Sequence, residues 1–139
     1  MSTHLDSSVL VAALVDSDPH HEACLHLLRK GGSSVLVHAL AETFNTMTGG
    51  KLISRILPSV VSEVLTVSVL PRVRPIGLSA AETIAAFAET EERGVRGGAI
   101  YDYLHLVAAR KAGARKLYTL DLDNFRSFHR HGDPEIVHP

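Results

Sequence analysis

Glycine and proline cut this 139-residue chain into segments too short for anything but brief strands alternating with helices. Gly31-Gly32, Gly49-Gly50, Pro71, Pro75 with Gly77, Gly97-Gly98, Gly113 and the run from Gly132 to Pro134 are the punctuation. Short β-branched or apolar runs between them read as strands: Thr3 to Leu5, Ser34 to Val37, Val73 to Ile76, Lys116 to Thr119 and Glu135 to Val137. The intervening segments carry helical periodicity: Ser7 to Val15, Pro19 to Lys30, His38 to Thr48, Pro58 to Leu70, Ser79 to Arg93 and Ala99 to Ala112. Pro19 suits a first helical turn, and Ser79 with Glu82 forms a capping box. Strands separated by helical crossovers cannot pair as hairpins. The order therefore predicts an α/β fold of three layers, with a central parallel sheet of four to five strands and helices on both faces. Sites in such sheets collect beyond the carboxyl ends of the strands.

The length is that of one domain, residues 1–139. The chain is 45% hydrophobic and 21% charged, which excludes a disordered polyelectrolyte. Its single cysteine, Cys24, excludes an internal disulfide and a Cys-rich zinc site. The first apolar run, Val9 to Val15, is too short to span a bilayer and has no basic flank before it. The expected compartment is the cytoplasm, with no membrane partner. The net charge of −1 hides an asymmetry. Residues 1–92 carry −4 and residues 93–130 carry +5, so any contact with a phosphate backbone should be local and salt-sensitive.

Four acids fall where they could converge. Asp6 follows the first strand directly, and Asp121 follows the fourth. Glu42 lies in the helix after the second strand, and Asp102 in the first turn of the helix before the fourth. Glu42 and Asp102 have apolar sequence neighbours and no obvious Lys or Arg partner. Grouped carboxylates repel one another and raise their own pKa values. A divalent cation removes that conflict, and hard oxygen ligands select Mg²⁺ or Mn²⁺ over zinc or iron. Such an ion suits phosphate chemistry.

The wording around these acids resembles the PIN domain. Leu5-Asp6-Ser7-Ser8-Val9-Leu10 resembles its opening motif and Glu42-Thr43-Phe44-Asn45 its second. Gly98-Ala99-Ile100-Tyr101-Asp102-Tyr103-Leu104-His105 is similar to its third, with Tyr103 where a small residue is common. Tyr118-Thr119-Leu120-Asp121-Leu122-Asp123-Asn124-Phe125 resembles its fourth. The chain looks most like VapC-type toxins of bacterial type II toxin–antitoxin pairs. The resemblance implies a Mg²⁺- or Mn²⁺-dependent endoribonuclease, a hydrolase acting on an RNA substrate to leave a 5′-phosphate. It also implies a cognate antitoxin protein and a homodimer. Asp6, Glu42, Asp102 and Asp121 would be the catalytic, metal-binding acids, with Thr119 as a polar support. Asp123 could ligate a second ion or simply face solvent.

Other readings compete at each position. Asp6 is also a natural helix N-cap, and the two roles are compatible. The nine histidines lack His-x-x-x-His metal spacing and read mostly as surface or packing residues. The Val60 to Leu70 stretch is apolar on more than one face, which fits a dimer interface, an antitoxin seat or core burial alike. No Gly-x-Gly-x-x-Gly or P-loop is present, and Ser8 stands where a phosphatase of the Asp-x-Asp type needs its second acid. The remaining rival is a catalytically silent PIN-like module that only binds RNA or protein. The presence of all four acids argues against it.

Overall fold

The computed structural model describes residues 2–50 and 55–139. Strands β1 (Thr3–Leu5), β2 (Ser33–Leu36), β3 (Val73–Ile76), β4 (Lys116–Tyr118) and β5 (Glu135–Val137) form one all-parallel sheet in the order β3-β2-β1-β4-β5. Helices α1 (Ser7–Leu14) and α2 (His21–Lys30) connect β1 to β2, and α3 (Val37–Thr48) and α4 (Pro58–Val64) lead on to β3. Helices α5 (Ala80–Arg93) and α6 (Ala99–Lys111) cross back to β4, and α7 (Leu122–Phe128) reaches β5. The expected three-layer α/β architecture is the one found, with five strands and seven α-helices among the described residues.

The chain winds outward from β1 to β3, then returns to place β4 on the other side of β1. That reversal opens a crevice between β1 and β4 at their carboxyl ends. Two apolar clusters hold the layers. Leu5, Leu10, Cys24 and Val35 join α1–α3 to one side of the sheet, whereas Tyr103, Leu106, Leu117, Phe125 and Phe128 join α6 and α7 to β4.

Local chemistry explains where the structure departs from the sequence reading. Helix α2 starts at His21, not at Pro19. Asp18 captures the next turn instead, taking the His20 N–H on Oδ1 at 2.8 Å and the His21 N–H on its carbonyl at 3.0 Å. Gly31 and Gly32, both at positive φ (75° and 78°), then turn the chain into β2. The helix expected over Pro58 to Leu70 is α-helical only to Val64. It widens into a π-helical turn over Leu65–Val69, where the Leu70 N–H reaches back to the Leu65 carbonyl, and ends in a 3₁₀ turn, Leu70–Arg72. Pro71 lacks an N–H and its ring crowds the carbonyl four residues back, so the α-pattern cannot run through it. The residues after Asp121, for which the sequence indicates no helix, form α7, and its Phe125 and Phe128 are both buried. The capping box forms as expected: the Ser79 Oγ accepts from the Glu82 N–H at 3.1 Å, and Glu82 accepts from the Ser79 N–H at 2.8 Å.

Candidate active site

Asp6 stands at the head of the crevice, almost fully buried. It caps α1 in the way its sequence position suggests, since Oδ1 accepts from the backbone N–H groups of Ser8 (3.0 Å) and Val9 (3.3 Å). Two hydroxyls then tie it to β4. The Thr119 hydroxyl donates to Asp6 Oδ2 at 2.8 Å and accepts the Asp121 N–H at 2.9 Å. The Ser8 hydroxyl donates to Asp6 Oδ1 and accepts the Leu120 N–H at 3.0 Å. The two strand ends on either side of the switch point are thereby clamped together around one carboxylate. Burial pushes the Asp6 carboxyl above its ordinary range, while the charge of His105 and the bonds from Ser8, Thr119 and Val9 offset part of that rise.

Asp102, in the first turn of α6, makes no hydrogen bond among the described residues and is pushed up to about 6. Burial is the first cause. The charges of Asp6, Asp121 and Glu42 raise it further, against an opposing pull from His105. Four acids, two after the ends of β1 and β4 and two in α3 and α6, therefore share one electrostatic neighbourhood. Asp121 and Asp123 are solvent-exposed at the start of α7, and the Asn124 amide donates to Asp121 Oδ2 at 2.7 Å. Asp123 makes no side-chain hydrogen bond among the described residues.

The partner of Glu42 is a histidine rather than a Lys or Arg. His105 Nε2 lies 2.7 Å from Glu42 Oε1, and the ring is fully buried. An ionised carboxylate only accepts, so the ring donates. Burial lowers the His105 pKa, but the hydrogen bond to Glu42 and the charges of Asp6, Glu42 and Asp102 outweigh it, and the net shift is upward. His4 is the opposite case. Burial and the adjacent His105 hold it down to about 3, and its Nδ1 pairs with the Ser34 hydroxyl at 2.7 Å. The two rings meet edge to face at 6.2 Å. The three-residue spacing of Asp102 and His105 places both on one helix face, but nothing local links either to Glu42, 63 residues from His105. The role of Ser8, bridging Asp6 and the Leu120 N–H, likewise depends on contacts that only the fold makes.

The basic excess of residues 93–130 is partly spent within the fold. Arg93 pairs with Asp133, Arg110 with Glu89 at 2.7 Å and Asp133 at 3.7 Å, and Lys111 with Glu82 at 2.8 Å. Tyr103 belongs to this girder. Its ring is buried beneath the Arg93 and Arg110 guanidinium groups, and its hydroxyl donates to Glu89 at 2.6 Å. Burial, followed by that bond, pushes its phenol up to about 12. Tyr103→Phe is expected to cost about 1 kcal/mol, because Glu89 keeps Arg110 and water as partners. Thermal melting should fall by about 3–4 °C with cleavage unaffected. A loss of activity at unchanged stability would place Tyr103 in the chemistry instead.

All the candidate ligands are carboxylate oxygens, the donor set of a hard cation. Among the described residues, no three His, Cys, Asp or Glu side chains already enclose an ion position. Mg²⁺ does not require such a cage, because it keeps several waters and is held through one or two carboxylates. The carboxylate repulsion that raises Asp102, which His105 offsets only in part, fits an ion of that kind.

Residues 4–130 match the family model described as "PIN domain". Ribonuclease VapC40 of Mycobacterium tuberculosis is 33% identical over 125 residues, 90% of each chain. Among solved structures, M. tuberculosis VapC20, described as a sarcin-ricin loop cleaving toxin, superposes with a TM-score of 0.70 at 16% identity, over 95% of this chain and 99% of its own. VapBC2 of Rickettsia felis, bound to a DNA fragment from its promoter, follows with a TM-score of 0.66 at 20% identity, over 100% and 99%. At such identities the superpositions speak for the fold alone. Family model and curated relative agree across nine-tenths of the sequence, and the chain belongs to the PIN-domain family.

Proposed function

We propose that this chain is an endoribonuclease, the toxin of a type II toxin–antitoxin pair, which hydrolyses RNA phosphodiester bonds with carboxylate-held Mg²⁺ or Mn²⁺. The observation that carries it is the Thr119 hydroxyl bridging Asp6, after β1, to the Asp121 N–H, after β4, at the switch point of the sheet; the upward shift of Asp102, to which Asp6, Asp121 and Glu42 contribute, supports it. The identity to a ribonuclease and the toxin–antitoxin complexes of the same fold support it.

Asp6, Asp102 and Asp121 would hold the ion, with Glu42 as a ligand or as the group that positions the attacking water. When bound, the ion supplies a Lewis acid for a phosphoryl oxygen. The chain's own groups do the rest. Ser8 and Thr119 fix the Asp6 carboxylate before substrate arrives, so no reorganisation is needed at the moment of reaction. His105 holds Glu42 Oε1, and Oε2 has no protein partner among the described residues. Glu42 can therefore orient a water while its own position stays fixed. In-line attack leaves a 5′-phosphate and a 3′-hydroxyl. Asp123 is exposed enough to serve a second ion or none.

The exposed apolar residues Leu57, Val60, Val67 and Leu70, on and around α4, give a homodimer or an antitoxin segment a surface to bury. No helix among the described residues is long and apolar enough to cross a membrane.

The test incubates purified protein with RNA in Mg²⁺, in EDTA, and in EDTA relieved by excess Mg²⁺ or Mn²⁺, beside Asp6→Ala. Cleavage should appear only with the metal and disappear in the variant. Equal cleavage by wild type and variant would remove the assignment. RNA binding without cleavage under any condition would favour the silent module.

A further inference from the structure

Next to the acids lies a cavity of about 330 Å³ that they do not use. It opens at the carboxyl ends of β2 and β3, where Leu36, Leu78 and Leu104 line it. Its aromatic wall is a stacked pair, the rings of His38 and Tyr101, with centroids 5.6 Å apart and planes 20° from parallel. Tyr101 is 52% exposed, high for a large aromatic side chain inside a pocket wall. None of the residues lining the cavity is Asp, Glu, Lys or Arg. The Tyr101 hydroxyl and both His38 nitrogens make no hydrogen bond among the described residues.

We propose that this cavity seats an unpaired nucleobase of the RNA, stacked on the face of Tyr101 that His38 leaves free, with His38 bracing the ring from behind. The inference rests on the endoribonuclease reading above. A mostly apolar pocket without a Lys or Arg offers little to a phosphate and suits a planar heterocycle, whose π-face gains from an aromatic platform. Continuity with the acids makes the occupant part of the strand being cut. Tyr101 immediately precedes Asp102 in α6, and His38 is one helical turn before Glu42 in α3. A strand with its phosphodiester at Asp102 has a neighbouring base within reach of the ring. Stacking of this kind requires the base to be splayed from its neighbours, so the site selects single-stranded loops over duplex.

The chain contains no tryptophan, so Tyr101→Trp creates a single fluorescent reporter at the wall. Combined with Asp102→Asn, it keeps the RNA intact during titration. A single-stranded oligoribonucleotide should quench the emission as it binds. An abasic ribose-phosphate oligomer of equal length should bind, by anisotropy of a label on the oligomer, without quenching. Tyr101→Ala should weaken binding of the intact strand roughly tenfold, and Tyr101→Phe, which keeps the π-face, by no more than about twofold. RNA that binds, or is cleaved by the unmodified chain, without quenching overturns the base pocket and leaves the nuclease standing. No RNA binding or cleavage at all overturns both. Emission that shifts with protein concentration alone assigns the pocket to a second copy of the chain and likewise overturns the proposal.

Discussion

Asp102→Asn is expected to stabilise the protein in EDTA while sharply reducing cleavage. The Asp102 carboxyl has no hydrogen-bond donor among the described residues and faces Asp6, Asp121 and Glu42, which together with burial push it up to about 6. Between pH ~4 and ~6 the native protein takes up a proton that the unfolded chain does not. Stability therefore falls as pH rises through that window, and the penalty persists in full above it. Asp102 is partly exposed, so solvent screens much of the repulsion, and the relief on neutralising it is about 1 kcal/mol. At pH 7.5 the variant should melt about 3–4 °C above wild type, with the gap closing below pH ~4. Mg²⁺ should invert the order. At tenfold excess over its dissociation constant the ion adds about 1.4 kcal/mol to a chain that binds it, and the variant should gain little. Cleavage should fall by about 10²–10³-fold, the scale of deleting one preorganised charge at a reaction centre. Differential scanning calorimetry with and without EDTA decides the matter. Equal melting of both proteins in EDTA, or an equal shift with Mg²⁺, would mean that Asp102 neither repels its neighbours nor holds the ion.

Thr119→Val should be the more damaging change to the fold. Valine matches threonine in shape, so no cavity opens. What is lost is a hydroxyl that donates to Asp6 Oδ2 and accepts the Asp121 N–H, in a fully buried position. Both partners are left unpaired at the joint between β1 and β4. A buried carboxylate oxygen and a part-buried N–H without their partner cost about 3 kcal/mol together, or about 10 °C of melting temperature in a domain of this size. The Asp6 carboxyl, already raised by burial, should rise further, and cleavage at neutral pH should fall with it. Thr119→Ser keeps the hydroxyl and removes one methyl, at about 1 kcal/mol. If serine proves as harmful as valine, the hydroxyl clamp is not what holds the site.

Much of the sheet was legible because its signals are local. Gly31-Gly32 and Gly113 stop helices by backbone freedom, and Ser79 with Glu82 starts one by satisfying its own N–H groups. The acids could be placed from their position relative to strands, as Asp6 after β1 and Asp121 after β4 show. The missed features share a different cause. The break in the helix after Val64 depends on Pro71, six or seven residues downstream. Helix α7 exists because β4 and α6 offer Phe125 and Phe128 a place to be buried. The Glu42–His105 pair joins residues 63 apart, and no periodicity announces it. The cations of residues 93–130 counted as a basic surface until Asp133, Glu89 and Glu82 proved to claim three of them.

Sequence alone determined that strands alternate with paired helices, that four acids lie at strand ends or in the helices flanking them, and that their wording is that of a PIN domain. Those are consequences of residue type and short-range spacing. Tertiary structure alone decided which acid is clamped, which repels its neighbours, and which is held by a buried histidine. The reason is physical: a carboxylate's pKa, and hence its chemistry, is set by burial and by charges a few ångströms away, and those neighbours come from distant parts of the chain. The same holds for the His38–Tyr101 stack, two residues unremarkable in the sequence until α3 and α6 bring their rings face to face.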